Sequence, residues 1–318
     1  MDLTVVILTY NSARTIAACL SSVARQTRPP AEILVVDDDS TDETLALVRR
    51  FAVDSAAPVR VLRNGRRNIS RGRNIGIAAT RTPLLAFLDS DAYAEPEWVA
   101  ALTTAFEPPQ VAIVGGEVLA AHATRFAAAV AISDGAVRDL AASGTILFTT
   151  CNMALHTERV GGHRFDERWV YAEDVEYVHR VGGAVIAPAA RVWHESRATV
   201  RGYLRQMYQY GLWKVRYTVR TREVRLVDYS ATAALVLSAA AGVLVSPWLL
   251  LAYPGLCAAE TAAVVLLRRP RPALIPMMFV GWLVKNTGWG LGVLVAIAQE
   301  AVGRSGVPAA DRPAPVAG

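Results

Sequence analysis

Leu84-Leu-Ala-Phe-Leu-Asp-Ser-Asp91 decides how this chain folds. Five consecutive apolar residues end on two carboxylates separated by one serine. A run this short and apolar, without polar alternation, fits a strand covered on both faces, as inside a parallel sheet. Working outward, Leu3-Thr-Val-Val-Ile-Leu8 ends at Thr9-Tyr10-Asn11-Ser12, and Ile33-Leu-Val-Val36 ends at Asp37-Asp38-Asp39-Ser40. Val59-Arg-Val-Leu62 is a further short run. Helical patterns separate them: Ile16, Leu20 and Val23 on one face, then Leu45, Val48 and Phe51 behind Thr41 as the expected cap, then a helix after Arg73. The alternation predicts an α/β protein whose mostly parallel sheet is covered on both sides and binds ligands at the carboxyl ends of its strands. Those ends carry Asp37–Asp39 and Asp89–Asp91.

The composition, 53% hydrophobic and 19% charged over 318 residues, excludes a disordered chain. The net charge of +5 is almost all arginine, because Lys214 and Lys285 are the only lysines. That balance points to a membrane surface, phosphates or nucleic acid. Cys19, Cys151 and Cys257 are far apart and odd in number, so a reducing compartment is expected rather than a disulfide framework or metal finger. The first residues carry no basic and apolar leader, so membrane attachment is expected from the C-terminal third.

The character changes near Arg197. Residues 1–196 read as one catalytic domain, 197–228 as a basic amphipathic helix, 229–302 as membrane-embedded helices and 303–318 as a disordered tail. The helix alternates arginines with Tyr203, Tyr208, Tyr210, Trp213 and Tyr217. Nucleic acid is excluded as its partner by the apolar segments that follow, and anionic lipid is expected instead. A span takes about 20 apolar residues. Ala231–Tyr253 meets that length, Pro254–Leu267 is short enough to be re-entrant, and Ala273–Ile297 is interrupted by Lys285-Asn286, as one broken span or a hairpin. Arg268, Arg269 and Arg271 between the last two then place the catalytic domain on the cytoplasmic side of a cell membrane.

Asp89 and Asp91 at a strand tip suit one hard divalent cation, Mn²⁺ or Mg²⁺, that would stabilise a departing diphosphate. A solvated acidic turn is the alternative for this pair alone. Asp37–Asp39 repel one another unless a helix N-terminus or a ligand offsets the charge, and capping by Asp39 or Ser40 is the plainer reading. Arg71 and Arg73, before a helix, present guanidinium forks to a phosphate or base, or to surface salt bridges.

Taken together, Val6-Ile-Leu-Thr-Tyr-Asn11, Val35-Val-Asp-Asp-Asp-Ser-Thr-Asp42, Arg73-Asn-Ile-Gly76 and Phe87-Leu-Asp-Ser-Asp91 resemble family 2 glycosyltransferases in order and spacing. Cys151-Asn-Met-Ala154, Val160-Gly-Gly162, Phe165-Asp-Glu167 and Tyr171-Ala-Glu-Asp174 extend the resemblance, which covers about residues 3–220. It implies a GT-A fold and inverting transfer from a nucleotide sugar, UDP being the usual carrier. By that resemblance Thr9, Tyr10, Asn11, Asp37, Asp38, Arg73 and Asp89 bind the nucleotide, while Asp91 with Asp89 holds the metal. His194 in Val192-Trp-His-Glu195 is a further candidate ligand. Asp174 matches the catalytic base, and Asn152, Glu173 and Trp169 match the acceptor side. The C-terminal segments look like those of enzymes that build exopolysaccharide on polyprenyl carriers, similar to succinoglycan glucosyltransferases. Two departures stand out: Asp39 replaces a common glycine, and His163-Arg164 is inserted before Phe165. A Gln-x-x-Arg-Trp motif of processive synthases does not occur, so one sugar is expected per encounter.

A sugar hydroxyl needs its proton removed, the role expected of Asp174. The expected function is therefore sugar transfer to a hydroxyl of a lipid-linked saccharide or other membrane acceptor. Transfer to polyprenyl phosphate, which needs no base, is one alternative, and a non-catalytic nucleotide-binding membrane scaffold is another. A sugar nucleotidyltransferase would carry a glycine-rich phosphate loop, which Thr9-Tyr10-Asn11-Ser12 is not.

Overall fold

The computed structural model describes residues 1–121, 124–140, 148–169, 171–195 and 199–302. In chain order the elements are β1 (Leu3–Thr9), α1 (Ile16–Ala24), β2 (Glu32–Asp37), α2 (Thr44–Asp54), β3 (Val59–Arg63), α3 (Ile69–Ala79), β4 (Leu84–Asp89), β5 (Ala92–Ala94) and α4 (Trp98–Ala105). Next come β6 (Ile113–Ala121), α5 (Arg125–Leu140), β7 (Asn152–His156), α6 (Glu173–Val181), β8 (Ala184–Glu195) and α7 (Val200–Thr221). The last are α8 (Ser230–Leu244), a 3-10 turn (Pro247–Leu251), α9 (Ala252–Arg268) and α10 (Ile275–Ala301).

The first compact unit is Met1–Ala121 with Ile146–Glu195. Its sheet runs β3-β2-β1-β4-β7-β6-β8-β5. The four N-terminal strands are parallel, and β7 joins β4 antiparallel. The expected mixture of a mostly parallel sheet with helices on both sides is present. Alternate residues of β1 face opposite layers: Val5 and Ile7 pack with Ile16, Leu20 and Trp98, while Val6 packs with Ile77 and Tyr177. Helix α3 lies so close to β1 that a Cβ on Gly76 would stand 2.5 Å from Val6 Cγ1. The glycine of Arg73-Asn-Ile-Gly76 thus brings the helix, and Arg73 with it, down onto the sheet. At α2 the structure corrects the cap: Asp42 Oδ1, not Thr41, accepts from the Thr44 backbone N–H at 3.0 Å.

The second unit is His122–Thr145 with Ser196–Gly318. Helix α5 therefore interrupts the 1–196 block expected on sequence, and the 303–318 tail lies outside the described residues. The expected spans are also redrawn. Among the described residues two stretches, Pro247–Arg268 and Pro272–Ala301, are long and apolar enough to cross a membrane. The expected span from Ala231 is cut at Leu244, and α8 has only 15 residues. Ser246 is extended before Pro247, as a residue preceding proline prefers. Pro254, read as a boundary, sits in the first turn of α9, where its missing N–H leaves no helical bond unmade. Helix α10 runs unbroken through Lys285-Asn286 because both side chains have partners: Lys285 Nζ lies 2.6 Å from Asp134 Oδ1, and Asn286 Nδ2 donates to Glu260 Oε2 at 2.8 Å.

Candidate active site

The parallel strands deliver their carboxyl ends to one edge, as the chain pattern requires. In β1 and β2 the register pairs Thr9 with Asp37, and both side chains are buried. Asp37 Oδ2 accepts from the Ser40 backbone N–H at 3.0 Å. Its Oδ1, Thr9 Oγ1 and Asn64 Oδ1 are buried without a hydrogen-bond partner. Asn64 follows β3, and its backbone N–H donates to the Asp37 carbonyl at 2.7 Å. Sequence reasoning missed Asn64, since a lone asparagine after a strand reads as a turn residue.

Asp38 Oδ1 accepts from the Arg67 backbone N–H at 2.8 Å. The Arg67 guanidinium covers the exposed Tyr10 ring at 4.6 Å and donates to its hydroxyl at 2.6 Å. Arg67 is a second residue the sequence did not single out, because Arg66-Arg67 looks like an ordinary surface pair. Asn11 staples two loops: its N–H donates to Ser40 Oγ at 2.9 Å and its Oδ1 accepts from the Thr41 N–H at 2.8 Å. Asp39 has a left-handed φ of 61°, the conformation in which glycine is common. Its carboxylate is anchored by Arg63 at 2.6 Å, which holds it below the usual carboxylate range.

Asp89, Asp91 and His194 converge. Strand β8 lies between β6 and β5, and its register sets His194 opposite Ala92, the residue after Asp91. His194 Nε2 is 3.2 Å from Asp91 Oδ1 and 3.9 Å from Asp89 Oδ2. The three ligand atoms lie within 4.8 Å of one another, separations that one divalent ion satisfies. Burial pushes the Asp89 carboxyl up, against the opposing pull of Arg73. Ser12 Oγ and Ser90 Oγ, 2.8 Å apart, tie the β1 loop to this turn.

The base candidate is built separately. Residues 165–169 are buttoned to α3: Asn74 exchanges two hydrogen bonds with the Phe165 backbone, at 2.9 and 2.8 Å. Asn68 Nδ2 donates to the Glu167 carbonyl at 2.7 Å, and Ser70 Oγ to that of Trp169 at 2.7 Å. Ala172 then takes a left-handed φ of 58° at the head of α6. This costs an alanine about 1–2 kcal/mol and persists only where the surroundings impose it. The turn aims Glu173 inward at Arg73 and leaves Asp174 beside the Thr150 backbone N–H, half-buried. Burial, then the neighbouring Glu173 charge, lifts the Asp174 carboxyl to about 7, while Arg73 pulls the other way. Burial pushes the Cys151 thiol well up, and the Asp89, Asp91 and Asp174 charges add to that rise.

Four expectations change. Arg73 is 2% exposed and ion-paired with Glu173, so it faces a carboxylate rather than a nucleobase. Glu173 is correspondingly turned away from any acceptor. Trp169 is 0% exposed and offers no face to a sugar ring. Asn152 is also fully buried: its Nδ2 donates to the Glu117 and Ala190 carbonyls at 2.9 and 2.8 Å, and its Oδ1 accepts from Trp98 Nε1 at 2.7 Å. It braces the register shift between β6 and β8 that positions His194.

Residues 4–138 match the family model described as glycosyl transferase family 2. Glycosyltransferase AglE of Haloferax volcanii is 33% identical over 116 residues, which is 36% of this chain and 38% of that protein. The succinoglycan biosynthesis protein ExoO of Rhizobium meliloti is 38% identical over 96 residues, 30% of this chain and 27% of that one. The chain therefore spans under two-fifths of the length of these relatives. A solved structure, mannosyltransferase PcManGT from Pyrobaculum calidifontis in complex with GDP-Man and Mn²⁺, shares the fold with a TM-score of 0.58 at 20% identity, over 93% of this chain and 87% of that one. Ordered motifs, sheet topology and the 4–138 match agree: on a GT-A-like fold, residues 4–138 carry the glycosyl transferase family 2 pattern.

Proposed function

We propose that this chain moves one sugar, with inversion, from a nucleotide sugar to a hydroxyl of a membrane-held saccharide at the cytoplasmic face of a membrane. The observation that supports the reading is the pairing of the Asp89–Asp91–His194 cluster with a half-buried carboxylate, Asp174, that burial and the Glu173 charge lift to about 7. An Asp174 carboxyl at about 7 suits a base that accepts a hydroxyl proton and does not stay charged needlessly. This favours a hydroxyl acceptor over polyprenyl phosphate, which arrives already deprotonated.

Thr9 Oγ1, Asp37 Oδ1 and Asn64 Oδ1 are buried polar atoms lacking partners, a set that complements the N–H and carbonyl groups of a pyrimidine base. Tyr10 supplies an exposed ring for stacking once Arg67 moves aside. Asp89, Asp91 and His194 would hold the metal, whose charge offsets that of the departing diphosphate. The imidazole favours Mn²⁺, since Mg²⁺ prefers oxygen alone. The Arg73–Glu173 pair fixes the head of α6 and sets the field at Asp174.

The test is nucleoside diphosphate release by purified protein with Mn²⁺, a panel of nucleotide sugars and membrane lipid extract. Release from one donor is expected, lost with EDTA and in Asp91→Asn. Full activity of Asp174→Asn would move the acceptor to a phosphate, and absence of nucleotide binding would overturn the reading.

A further inference from the structure

Around Asp89, Asp91 and His194 the charges do not balance for a diphosphate. The two carboxylates cancel the charge of one dication, and an imidazole that ligates a metal is neutral. A nucleoside diphosphate arrives with several negative charges and gains another as the sugar leaves it. A cation supplied by the protein is therefore called for where that charge develops. Arg73 is buried in its pair with Glu173, and Arg67 is turned onto the Tyr10 ring.

Arg14 stands in the loop between β1 and α1, and that loop is fastened to the acidic cluster. Ser12 Oγ lies 2.8 Å from Oγ of Ser90, the residue between the two aspartates. The Ser12 N–H donates to Thr44 Oγ1 at 2.7 Å and the Ala13 N–H to Asp42 Oδ2 at 3.1 Å. The Ser12 carbonyl accepts from the Thr15 and Ile16 N–H groups at 3.0 and 2.9 Å, which starts α1 directly behind Arg14. The side chain is fastened to the same cluster from its other end. Arg14 makes a two-pronged pair with Glu195, Nη1 donating to Oε1 at 3.0 Å and Nη2 to Oε2. Glu195 follows His194, and its own N–H donates to the Asp91 carbonyl at 3.3 Å. The pair occupies two of the five guanidinium N–H donors, and the Arg14 side chain is 73% exposed, so donors remain for a ligand that arrives from solvent.

We propose that Arg14 is a diphosphate-binding residue: held by Glu195 beside the metal ligands, it turns its open N–H donors to the phosphate oxygens of the nucleotide. It thereby takes up charge that a metal neutralised by its own ligands does not. An exposed ion pair contributes little by itself, so Glu195 orients Arg14 without competing strongly for it. The inference rests on the nucleotide-sugar reading of this site and deepens it. It also fixes a pair of opposite signs. Removing the cation weakens diphosphate binding and strengthens Mn²⁺ binding, because a positive charge beside a dication repels it. A side chain that merely ties the α1 loop to the end of β8 would, when removed, loosen both.

Calorimetric titration of the full chain tests this, first with Mn²⁺ alone and then with UDP or GDP at saturating Mn²⁺. Arg14→Gln is expected to bind the nucleoside diphosphate about tenfold more weakly at low salt, the loss of one charge-assisted contact. The same variant is expected to bind Mn²⁺ at least as tightly as wild type. Arg14→Lys keeps the charge and is expected to recover most of the diphosphate affinity, with the difference from Arg14→Gln shrinking as salt screens it. Diphosphate binding unchanged in Arg14→Gln, or a loss matched by an equal loss of Mn²⁺ affinity, would overturn the proposal and leave the transferase reading standing. A wild-type chain that binds neither UDP nor GDP would overturn both.

Discussion

Asp174 is half-buried, yet the role proposed for it demands proton exchange. A carboxyl raised from 3.8 to about 7 in the folded state binds its proton more tightly than in the unfolded chain. Its contribution to stability is thus full below about pH 4 and is lost as pH rises through 7. Asp174→Asn is expected to abolish transfer, by 10²–10⁴-fold at least, yet to raise stability at pH 8 by on the order of 2 kcal/mol with little effect at pH 4. Thermal unfolding at the two pH values checks this. The acid limb of kcat is expected near pH 7; Glu173→Gln shifts it down, because the charge that raises Asp174 is gone. Arg73→Met shifts it up and also destabilises by about 3–5 kcal/mol, as a buried carboxylate loses its partner. Asp89 and Asp91 could be singled out as two carboxylates at one strand tip and Asp174 through the ordered motifs of the resemblance, whereas the convergence of His194 on the pair is visible only in the fold. Arg73, Asn152 and Trp169 were misplaced because a motif names a residue without saying which way it faces.

At the scale of elements, close approach decides what can be exchanged. Strands β6 and β8 change register between Gly116 and Glu117, where residue 117 meets Arg191 instead of the next residue in line. A Cβ at Gly116 would stand 2.2 Å from the Ala190 carbonyl oxygen and 2.3 Å from Asn152 Nδ2. Gly116→Ala is expected to cost about 1–3 kcal/mol and, by disturbing the strand that carries His194, to weaken Mn²⁺ binding. Calorimetric titration alongside unfolding separates the two effects. The early strands and helices were legible from period and punctuation, because β1, β2 and β4 are buried on both faces and contain no polar alternation. The bounds of the apolar C-terminal helices were not, since hydropathy is blind to whether Pro247 or Pro254 ends a helix. A proline in a first turn and one that stops a helix read alike.

For the whole molecule, the two compact units divide the chain in a way no linear reading gives, because α5 is inserted between the strands of the first unit and groups with the second. Its apolar pattern resembles that of any core helix, so only the three-dimensional contacts assign it. The basic residues of the second unit predict binding to vesicles containing anionic lipid. That binding is expected to weaken several-fold between 50 and 500 mM salt, roughly as screening shortens the reach of each arginine. Flotation assays would measure it, and salt-independent binding would attribute attachment to the apolar segments alone.

The buried cores of strands β1, β2 and β4 have a consequence for how this protein can change over generations. Leu3 through Ile7, Ile33 through Val36 and Leu84 through Leu88 are 2% exposed or less, so every substitution there is felt by packed neighbours. The loops at their carboxyl ends carry no such constraint except at a few polar positions. A saturation mutagenesis map should therefore show three intolerant stripes opening onto a permissive rim. Donor and acceptor preference can drift along that rim while the machinery beneath it stays fixed.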